Sequence, residues 1–454
     1  MNKYIKYILK KILPGYVWKN LKLLKENIKS VIFYIRIKKL NRNHKMALKI
    51  TRQKERIKVV FLLIHDSVWK YEGVYRLMKK DQRFNPVVVV CPYLKGGNLN
   101  MQRDMDHAYN SFKSEGYQVI KSLKENGEWL DVKHEIRPDL VCFTNPWDLT
   151  RPEYLIANFM DTLTCYVPYG FKNSYLHEAH YDKPTQNFTW KFFLETEIHQ
   201  KLSRIYSRNK GLNTIVTGYP GMDIFLQKDY QPIDEWKIKD KKVKRIIWAP
   251  HHTIPGMGAN LDYSTFLNYS EVMLQMADQY KNEIQIAFKP HPVLRPNLSK
   301  KEVWGKEKTD EYYQKWDQLS NGLLQEGKYI DLFMTSDGMI HDSSSFVIEY
   351  LYTHKPVMFL IKYDSISEKF NEIGKMAFSR LYHGKSQKDI ENFIKNVIIN
   401  GDDELKDERI EFFNSIVRPP NNRSASENIF NHLKSSIFGE VNQDLERKQK
   451  NEIL

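Results

Sequence analysis

The chain has 454 residues, of which 41% are hydrophobic and 13% aromatic, so it is long and apolar enough to bury two cores. This composition excludes a disordered or fibrous protein, and no run of about 18 uncharged apolar residues predicts a membrane-spanning helix. The charge is unevenly distributed along the chain. Residues 1–58 carry 18 lysines and arginines and two acids, a net charge of +16. Because the whole chain has a net charge of +15, the remaining residues together have −1.

The basic N-terminal arm, residues 1–56, is predicted to be helical and amphipathic. A first apolar repeat, from Ile5 to Ile12, ends at Pro14-Gly15, and a second runs from Val17 to Ile35. Lysines lie between the apolar positions, which predicts a helix in the plane of an anionic membrane surface. Two alternatives stay open: the apolar face packs on the protein's own body, or the arm binds nucleic acid, which its many isoleucines and leucines disfavour.

Apolar runs of strand length alternate with helical patterns after the arm. Strands are predicted at 57–64, 87–91, 117–120, 140–143 and 164–168, and, after a polar linker near 229–242, at 245–250, 284–289, 329–330, 338–341 and 356–360. Helices are predicted at 69–80, 263–280 and 346–353. This alternation predicts two doubly wound α/β domains with parallel sheets, 57–230 and 240–438, which face a cleft as in B-type glycosyltransferases.

The three cysteines, Cys91, Cys142 and Cys165, have the spacing of neither a metal site nor a disulfide framework. They are typical of buried thiols in a reducing cytosol.

A serine-rich turn is the first candidate ligand site. Asp342-Ser343-Ser344-Ser345 follows a predicted strand and precedes a helix, whose free N–H groups favour a phosphate. Glu349 lies one turn later, within reach of the ribose hydroxyls of a nucleotide. On its own the turn is more typical of an ordinary capped helix.

One lysine and three histidines follow two other strands, at the edge where doubly wound sheets bind their ligands. Lys289 and His291 lie in a proline-flanked segment and offer a positive charge and a donor to a phosphate. His251 and His252 are adjacent, and because neighbouring strand residues point to opposite faces, we expect at most one of them in the cleft. No ligand spacing supports a metal site, and a structural role for each histidine is the alternative.

These motifs, in chain order, resemble those of the CDP-glycerol glycerophosphotransferase family, the teichoic-acid primases and polymerases and their relatives in capsule clusters. The motifs are Tyr169-Gly170, Gly-Tyr-Pro-Gly-Met-Asp at 218–223, Ala249-Pro250, Lys289-Pro290-His291-Pro292, the stretch from Asp337 to Tyr350, and Arg423 to Ile429. The similarity runs from about 164 to 433.

The resemblance implies the roles of several residues. His291 matches the histidine that contacts the donor phosphates, Ser344 and Ser345 match the serines before the nucleotide-side helix, and Glu349 matches the acid that follows. Three positions depart from the family. Tyr169 replaces its proposed catalytic histidine, Asp-Tyr-Ser-Ser reads Asp-Ser-Ser-Ser, and Ala-Pro-Thr-Phe-Arg reads Ala-Pro-His-His-Thr.

A phenol is a poor base at neutral pH because its ordinary pKa is about 10. His251, His252 and His177 are therefore alternative bases. The predicted catalytic residues are His291, Tyr169 and His251. The predicted donor-binding residues are Lys289, Asp342, Ser343, Ser344, Ser345, Glu349 and Gly170.

The predicted protein is a peripheral enzyme on the cytoplasmic face of the cell membrane. It moves a glycerol-phosphate or related polyol-phosphate unit from CDP-glycerol to a hydroxyl of a lipid-linked glycan, in the synthesis of a teichoic-acid-like or capsular polymer. No metal, no cofactor beyond the activated donor and no nucleic-acid partner is expected. The alternatives are a glycosyltransferase of the same fold that uses a nucleotide sugar, and a non-catalytic membrane scaffold with a decayed transferase fold.

Overall fold

The computed structural model describes residues 15–254 and 262–439, and these form two sheets. The first contains β1 (Ile57–Leu63), β2 (Phe84–Val90), β3 (Val119–Lys121), β4 (Leu140–Phe143), β5 (Leu163–Tyr166), β6 (Lys191–Leu194) and β7 (Thr214–Val216). The second contains β8 (Lys244–Ala249), β9 (Ile284–Phe288), β10 (Gly322–Leu324), β11 (Gly338–His341), β12 (Val357–Leu360) and β13 (Tyr382–Gly384).

The strand orders are β3-β2-β1-β4-β5-β6-β7 and β10-β9-β8-β11-β12-β13, and the pairings between these strands are parallel. The predicted pair of doubly wound domains is therefore confirmed. Four short strands, β6, β7, β10 and β13, escaped prediction because three or four residues show too little periodicity. The predicted strand at 329–330 is wrong, since a helix begins at Ile330.

Helices cover both sheets. In the first half they are α1 (Gly15–Thr51), α2 (Glu72–Lys80), α3 (Asn98–Ser114), α4 (His177–Tyr181), α5 (Pro184–Phe188) and α6 (Glu197–Tyr206). In the second they are α7 (Phe266–Gln279), α8 (Leu294–Leu298), α9 (Lys306–Gln318), α10 (Ile330–Thr335), α11 (Phe346–Glu349), α12 (Glu372–Phe378), α13 (Gln387–Asn392), α14 (Lys406–Phe412) and α15 (Ala425–Phe438). The predicted helix 346–353 is α11 followed by a 3-10 turn, Tyr350–Thr353.

Each sheet is buried on both faces, which explains its continuous apolar strands. In β2, Val88 and Val90 pack into one core, and Val87 and Val89 pack into the core on the opposite face. The second sheet likewise separates two apolar cores.

The last helix, α15, returns to the first domain, although the sequence alone assigned it to the range 240–438. Its buried side chains, Ile429, Phe430, Leu433 and Ile437, belong to the core around β1 and α2. Asp223 accepts hydrogen bonds from the backbone N–H groups of Ala425 (2.8 Å) and Ser426 (2.7 Å) at the start of α15. Gly73 packs so closely that an added Cβ would lie 2.4 Å from the Ser426 hydroxyl.

The arm forms one long helix, α1, that packs on the first domain with one face. Leu40 is buried there, and Phe33, Ile37, Ala47 and Leu48 pack against the cores. Among its exposed apolar side chains, five in the N-terminal half share one face and are 50–59% exposed: Leu24, Ile28, Val31, Ile32 and Ile35. At 100° per residue they lie opposite the packed face. No helix within 15–254 or 262–439 is both long and apolar enough to cross a bilayer, and the first predicted repeat, Ile5 to Ile12, lies outside these ranges.

Candidate active site

Three loops meet at the carboxyl edge of the second sheet. β8 lies between β9 and β11, with Trp248 beside Phe288 and Ala249 beside His341. The segments that follow these strands are therefore neighbours, as the sequence predicted. The histidine pair follows β8, the Lys289-His291 segment follows β9, and the serine turn follows β11.

The three predicted histidines form one cluster. The ring centres of His251 and His252 lie 4.2 Å apart, and those of His252 and His291 lie 4.1 Å apart. Both rings of the adjacent pair lie near His291, because both residues follow the end of β8, where strand alternation no longer applies. His251 is buried and His252 is partly exposed, so the expectation that at most one of them enters the cleft stays a prediction. Burial lowers the pKa of His251 well below its ordinary value and that of His291 to about 4. These rings are therefore neutral hydrogen-bonding groups at neutral pH.

Lys289 supplies positive charge beside this cluster. Its side chain is buried, and burial lowers its pKa to about 8, with Glu326 opposing the shift. An amine with that pKa is mostly protonated at pH 7. Lys289 together with neutral imidazoles is suited to hold a phosphate without repulsion between neighbouring cations.

Asp342 braces the loops, and its predicted role in donor binding stays a prediction. Its side chain is 1% exposed, and its carboxylate accepts hydrogen bonds from the N–H of His251 (2.5 Å) and from the N–H and hydroxyl of Thr265 (2.5 and 2.8 Å). Burial raises its pKa to about 6. Asp342 thus fixes the histidine loop to the start of α7.

The serine turn contains one buried serine and two partly exposed ones. Ser343 is buried, and its N–H donates to Nδ1 of His341 (3.1 Å), whereas Ser344 and Ser345 are partly exposed. The backbone carbonyl of Ser344 accepts a hydrogen bond from the side-chain amide of Asn173, which belongs to the first domain. Two of the three predicted serines are therefore partly accessible at this edge of the sheet.

Glu349 lies at the junction of the two domains. It is buried and accepts hydrogen bonds from the hydroxyl of Tyr329 (2.9 Å) and the backbone N–H of Phe171. Burial raises its pKa, and the half-buried Lys70 of the first domain faces it and opposes this shift. Lys70 belongs to no motif in the sequence, and only the fold brings it to this acid.

Tyr169 lies in the first domain and is 40% exposed. Its hydroxyl accepts a hydrogen bond from the indole of Trp147 (3.2 Å), and its carbonyl accepts one from the hydroxyl of Tyr219 (3.2 Å). A Cβ added to Gly170 would meet no atom within 4 Å, so this position is open to a ligand. His177, an alternative base, stacks on Tyr206 at 4.0 Å, and burial lowers its pKa.

The segment after Gly170 joins the domains through backbone and amide contacts. Asn371 donates its side-chain amide to the carbonyl of Lys172 (2.8 Å), and the N–H of Tyr175 donates to the carbonyl of Lys369 (3.0 Å). With Asn173 on Ser344, these bonds hold the loop of Tyr169 against the serine turn. Isolated asparagines carry no sequence signal of such a role.

Other motif residues serve the fold. Asp337 accepts a hydrogen bond from the N–H of Arg245 (2.8 Å), which sets the register of β11 against β8. Gly218 has a φ of +92°, and an added Cβ would lie 2.6 Å from Pro419. In the chain from 15 to 254 and from 262 to 439, no group of three or more histidines, cysteines or acids is arranged to hold a metal ion.

Comparison with known proteins identifies the fold and the family. The wall teichoic acid polymerase TagF superposes with a TM-score of 0.56 at 13% identity, over 93% of this chain and 99% of that chain. A putative UDP-N-acetylglucosamine 2-epimerase from Listeria monocytogenes gives 0.56 at 15% identity, over 86% and 98%. The S. aureus MnaA–UDP structure gives 0.53 at 15%, over 84% and 96%. At these identities the structures show a shared fold alone.

No curated protein matches the sequence significantly. The family model for CDP-glycerol:poly(glycerophosphate) glycerophosphotransferase matches residues 172–435, from the segment after Gly170 through the histidine cluster and the serine turn to α15. This range covers more than half of the 454 residues. The chain therefore belongs to the CDP-glycerol:poly(glycerophosphate) glycerophosphotransferase family of transferases.

Proposed function

We propose that this transferase moves a glycerol-phosphate unit from CDP-glycerol to a hydroxyl of a lipid-linked glycan, while it is bound to the cytoplasmic face of a membrane. One observation supports the proposed binding of CDP-glycerol. Lys289, the three histidines and the serine turn lie together at one edge of the second sheet, within the range that matches the family. The acceptor enters beside Tyr169 and Gly170.

The donor pyrophosphate would lie against Lys289, His291 and the exposed serines. Phosphoryl transfer requires mainly in-line positioning and stabilisation of the charge that develops on the leaving phosphate. A cation and neutral imidazoles, on loops of which Asp342 braces one, supply this charge stabilisation with little reorganisation. Glu349, held between the domains, stays the predicted ribose ligand.

Nucleotide release tests this proposal. CDP-glycerol with a lipid-linked glycan acceptor should yield CMP, and His291→Ala should lower kcat/KM by about 100-fold or more, the range found for single stabilising donors. His134→Ala is a matched control, since His134 is an exposed histidine paired with Asp131 (2.7 Å) in the first domain. Nucleotide release from nucleotide sugars alone would establish a glycosyltransferase instead. Full activity of His291→Ala in cells would favour a scaffold.

The membrane part of the proposal rests on the uncovered face of α1. Five half-exposed aliphatic side chains lie on it, and Lys25, Lys29, Arg36 and Lys38 flank them in the sequence. Burial of each side chain in the acyl boundary contributes roughly 1 kcal/mol, and each nearby cation adds about 1 kcal/mol at an anionic surface. The alternative, in which the arm packs on the protein's own body, describes the opposite face of α1, which the first domain covers.

A second surface of the same character lies beside α1. Ile205, Tyr206 and Leu212 are exposed at the end of α6 and in the following loop. Residues 198–222 contain four cations and no acid. Arg208 in this loop lies 5.0 Å from the centre of the Phe33 ring, which is on the packed face of α1, so this patch borders the helix on the side away from its uncovered aliphatic face.

Vesicle co-sedimentation of the full chain tests membrane binding. Replacing Ile28, Ile32 and Ile35 with serine removes about 3 kcal/mol of apolar burial, so binding to vesicles with anionic lipid should weaken by roughly 100-fold. Ile37→Ser, on the packed face, should lower the melting temperature and leave vesicle affinity unchanged. Equal vesicle binding by the triple variant, or salt-sensitive binding to duplex DNA without vesicle binding, would contradict the proposal.

A further inference from the structure

Four aromatic side chains lie at the carboxyl edge of the first sheet, where four neighbouring strands end. In the sheet order β2-β1-β4-β5, the loops that follow these parallel strands carry Tyr93, His65, Trp147 and Tyr169, the aromatic row. Tyr169 is 40% exposed, and the other three side chains are partly exposed. The aromatic row is therefore accessible to a ligand in solution, in contrast to the rings that fill the cores.

Contacts between the loops hold these rings in place. The ring centres of His65 and Tyr93 lie 4.5 Å apart. The indole N–H of Trp147 donates to the hydroxyl of Tyr169 (3.2 Å) at the surface of the molecule. A backbone hydrogen bond of 2.9 Å from the residue after Tyr93 to the loop after β4 joins the two pairs. The relative positions of the rings are thus set before a ligand binds, which lowers the entropy cost of binding.

The aromatic row borders the second domain. Lys70, in the loop after β1, lies opposite Glu349 of the second domain. Asn173, in the segment after β5, donates its side-chain amide to the carbonyl of Ser344. Because β4 lies between β1 and β5, the loop of Trp147 lies between two segments that contact the donor half. A ligand on the aromatic row is therefore next to the serine turn.

The charges at this edge suit a neutral ligand. Loops 65–70, 92–97, 144–149 and 167–170 have no net charge, since they contain two acids and two lysines: Asp66, Asp148, Lys70 and Lys95. Two further groups of opposite charge lie beside the rings. Nζ of Lys183 lies 5.6 Å from the centre of the Trp147 ring, and Asp104 lies near His65. Burial lowers the pKa of His65, with Asp104 and Asp66 opposing the shift, so this ring is mainly neutral at neutral pH.

We propose that the aromatic row binds the neutral sugar ring that carries the acceptor hydroxyl. This inference rests on the proposed function and narrows its acceptor to the sugar end of a glycan, as opposed to a chain of glycerol-phosphate units. A sugar ring has an apolar C–H face, which packs on aromatic rings, and hydroxyls at its rim, which hydrogen-bond to carboxylates such as Asp66 and Asp148. A glycerol-phosphate chain has a negative charge on every unit and no flat apolar face. An edge without excess positive charge offers such a chain little attraction.

The choice of acceptor by the wild type tests this inference without any substitution. CMP release from CDP-glycerol is measured with a lipid-linked disaccharide and with the same disaccharide extended by several glycerol-phosphate units. The kcat/KM for the unextended disaccharide should be higher by about ten-fold or more. An equal or higher kcat/KM for the extended acceptor would overturn this inference and leave transfer from CDP-glycerol in place. A wild type that releases CMP with neither acceptor would overturn the proposed function itself.

Substitutions in the aromatic row supply a second test. Trp147→Ala should raise the KM for the disaccharide about ten-fold and leave the Kd for CDP-glycerol unchanged, whereas Trp147→Phe, which keeps an aromatic face, should recover most of the loss. Tyr280→Ala is the matched control, since Tyr280 is a partly exposed tyrosine between α7 and β9 whose hydroxyl donates to Glu391 (3.1 Å). If the melting temperature shows that Trp147→Ala does not fold, Tyr169→Ala at the more exposed ring carries the test. A folded variant with the wild-type KM for the disaccharide would overturn this inference.

Discussion

Replacing Asp342 with asparagine tests the bracing role of this buried residue. The carboxylate is buried and its pKa is raised from 3.8 to about 6. A carboxyl group with a raised folded-state pKa contributes stability that is present below pH 4 and lost as the pH rises through 6, about 3 kcal/mol in total. Asparagine does not titrate, so the variant lacks this loss.

Two effects of similar size therefore oppose each other in Asp342→Asn. The amide NH2 replaces one acceptor, which leaves the N–H of His251 or of Thr265 without a partner at a cost of about 1–3 kcal/mol. At pH 7 the variant also avoids the burial of a charge. The stability advantage of the wild type should shrink by about 2 kcal/mol between pH 4.5 and pH 7.

Urea unfolding of both proteins across this pH range measures the difference directly. Because the brace also holds the histidine loop, the Kd for CDP-glycerol should rise about ten-fold. Asp223→Asn is the matched control: its buried carboxylate also has a pKa raised to about 6, but it caps α15 and should leave donor affinity unchanged. Parallel pH profiles for the wild type and Asp342→Asn, or unchanged donor affinity, would refute the reasoning.

Three further substitutions test the contacts between elements. Gly73→Ala should destabilise the protein by about 1–3 kcal/mol in urea unfolding, because its Cβ would overlap Ser426, whereas alanine at the open Gly170 should not. Asn371→Ala removes the amide bond to Lys172 and the cap on Gly374 N–H (2.9 Å), so about 1–2 kcal/mol should be lost, and a smaller loss would mean that solvent replaces these bonds. Glu349→Gln should raise the KM for CDP-glycerol more than it lowers kcat in CMP release, and the reverse split would contradict a role as ribose ligand.

Much of the architecture was predictable because its signals are local. The apolar runs at β1 and β2 and the turns after β8, β9 and β11 place the donor-side loops at one sheet edge by the rule for doubly wound sheets alone. Short strands such as β7 carry no such signal. The inward turn of Asp342 and the bridge from Asn173 to Ser344 depend on partners 77 and 171 residues away, which no local pattern reveals.

Periodicity, charge and motif order, which are properties of the chain, were enough to predict the two parallel α/β domains, the basic arm and the residues that meet at the carboxyl edge of the second sheet. The folded structure was needed to show which face of α1 is covered, that α15 completes the first domain, and which motif acids are buried in interior hydrogen bonds. The physical reason is that burial and hydrogen bonding, which determine both pKa and availability to a ligand, arise from contacts between segments that are distant in sequence.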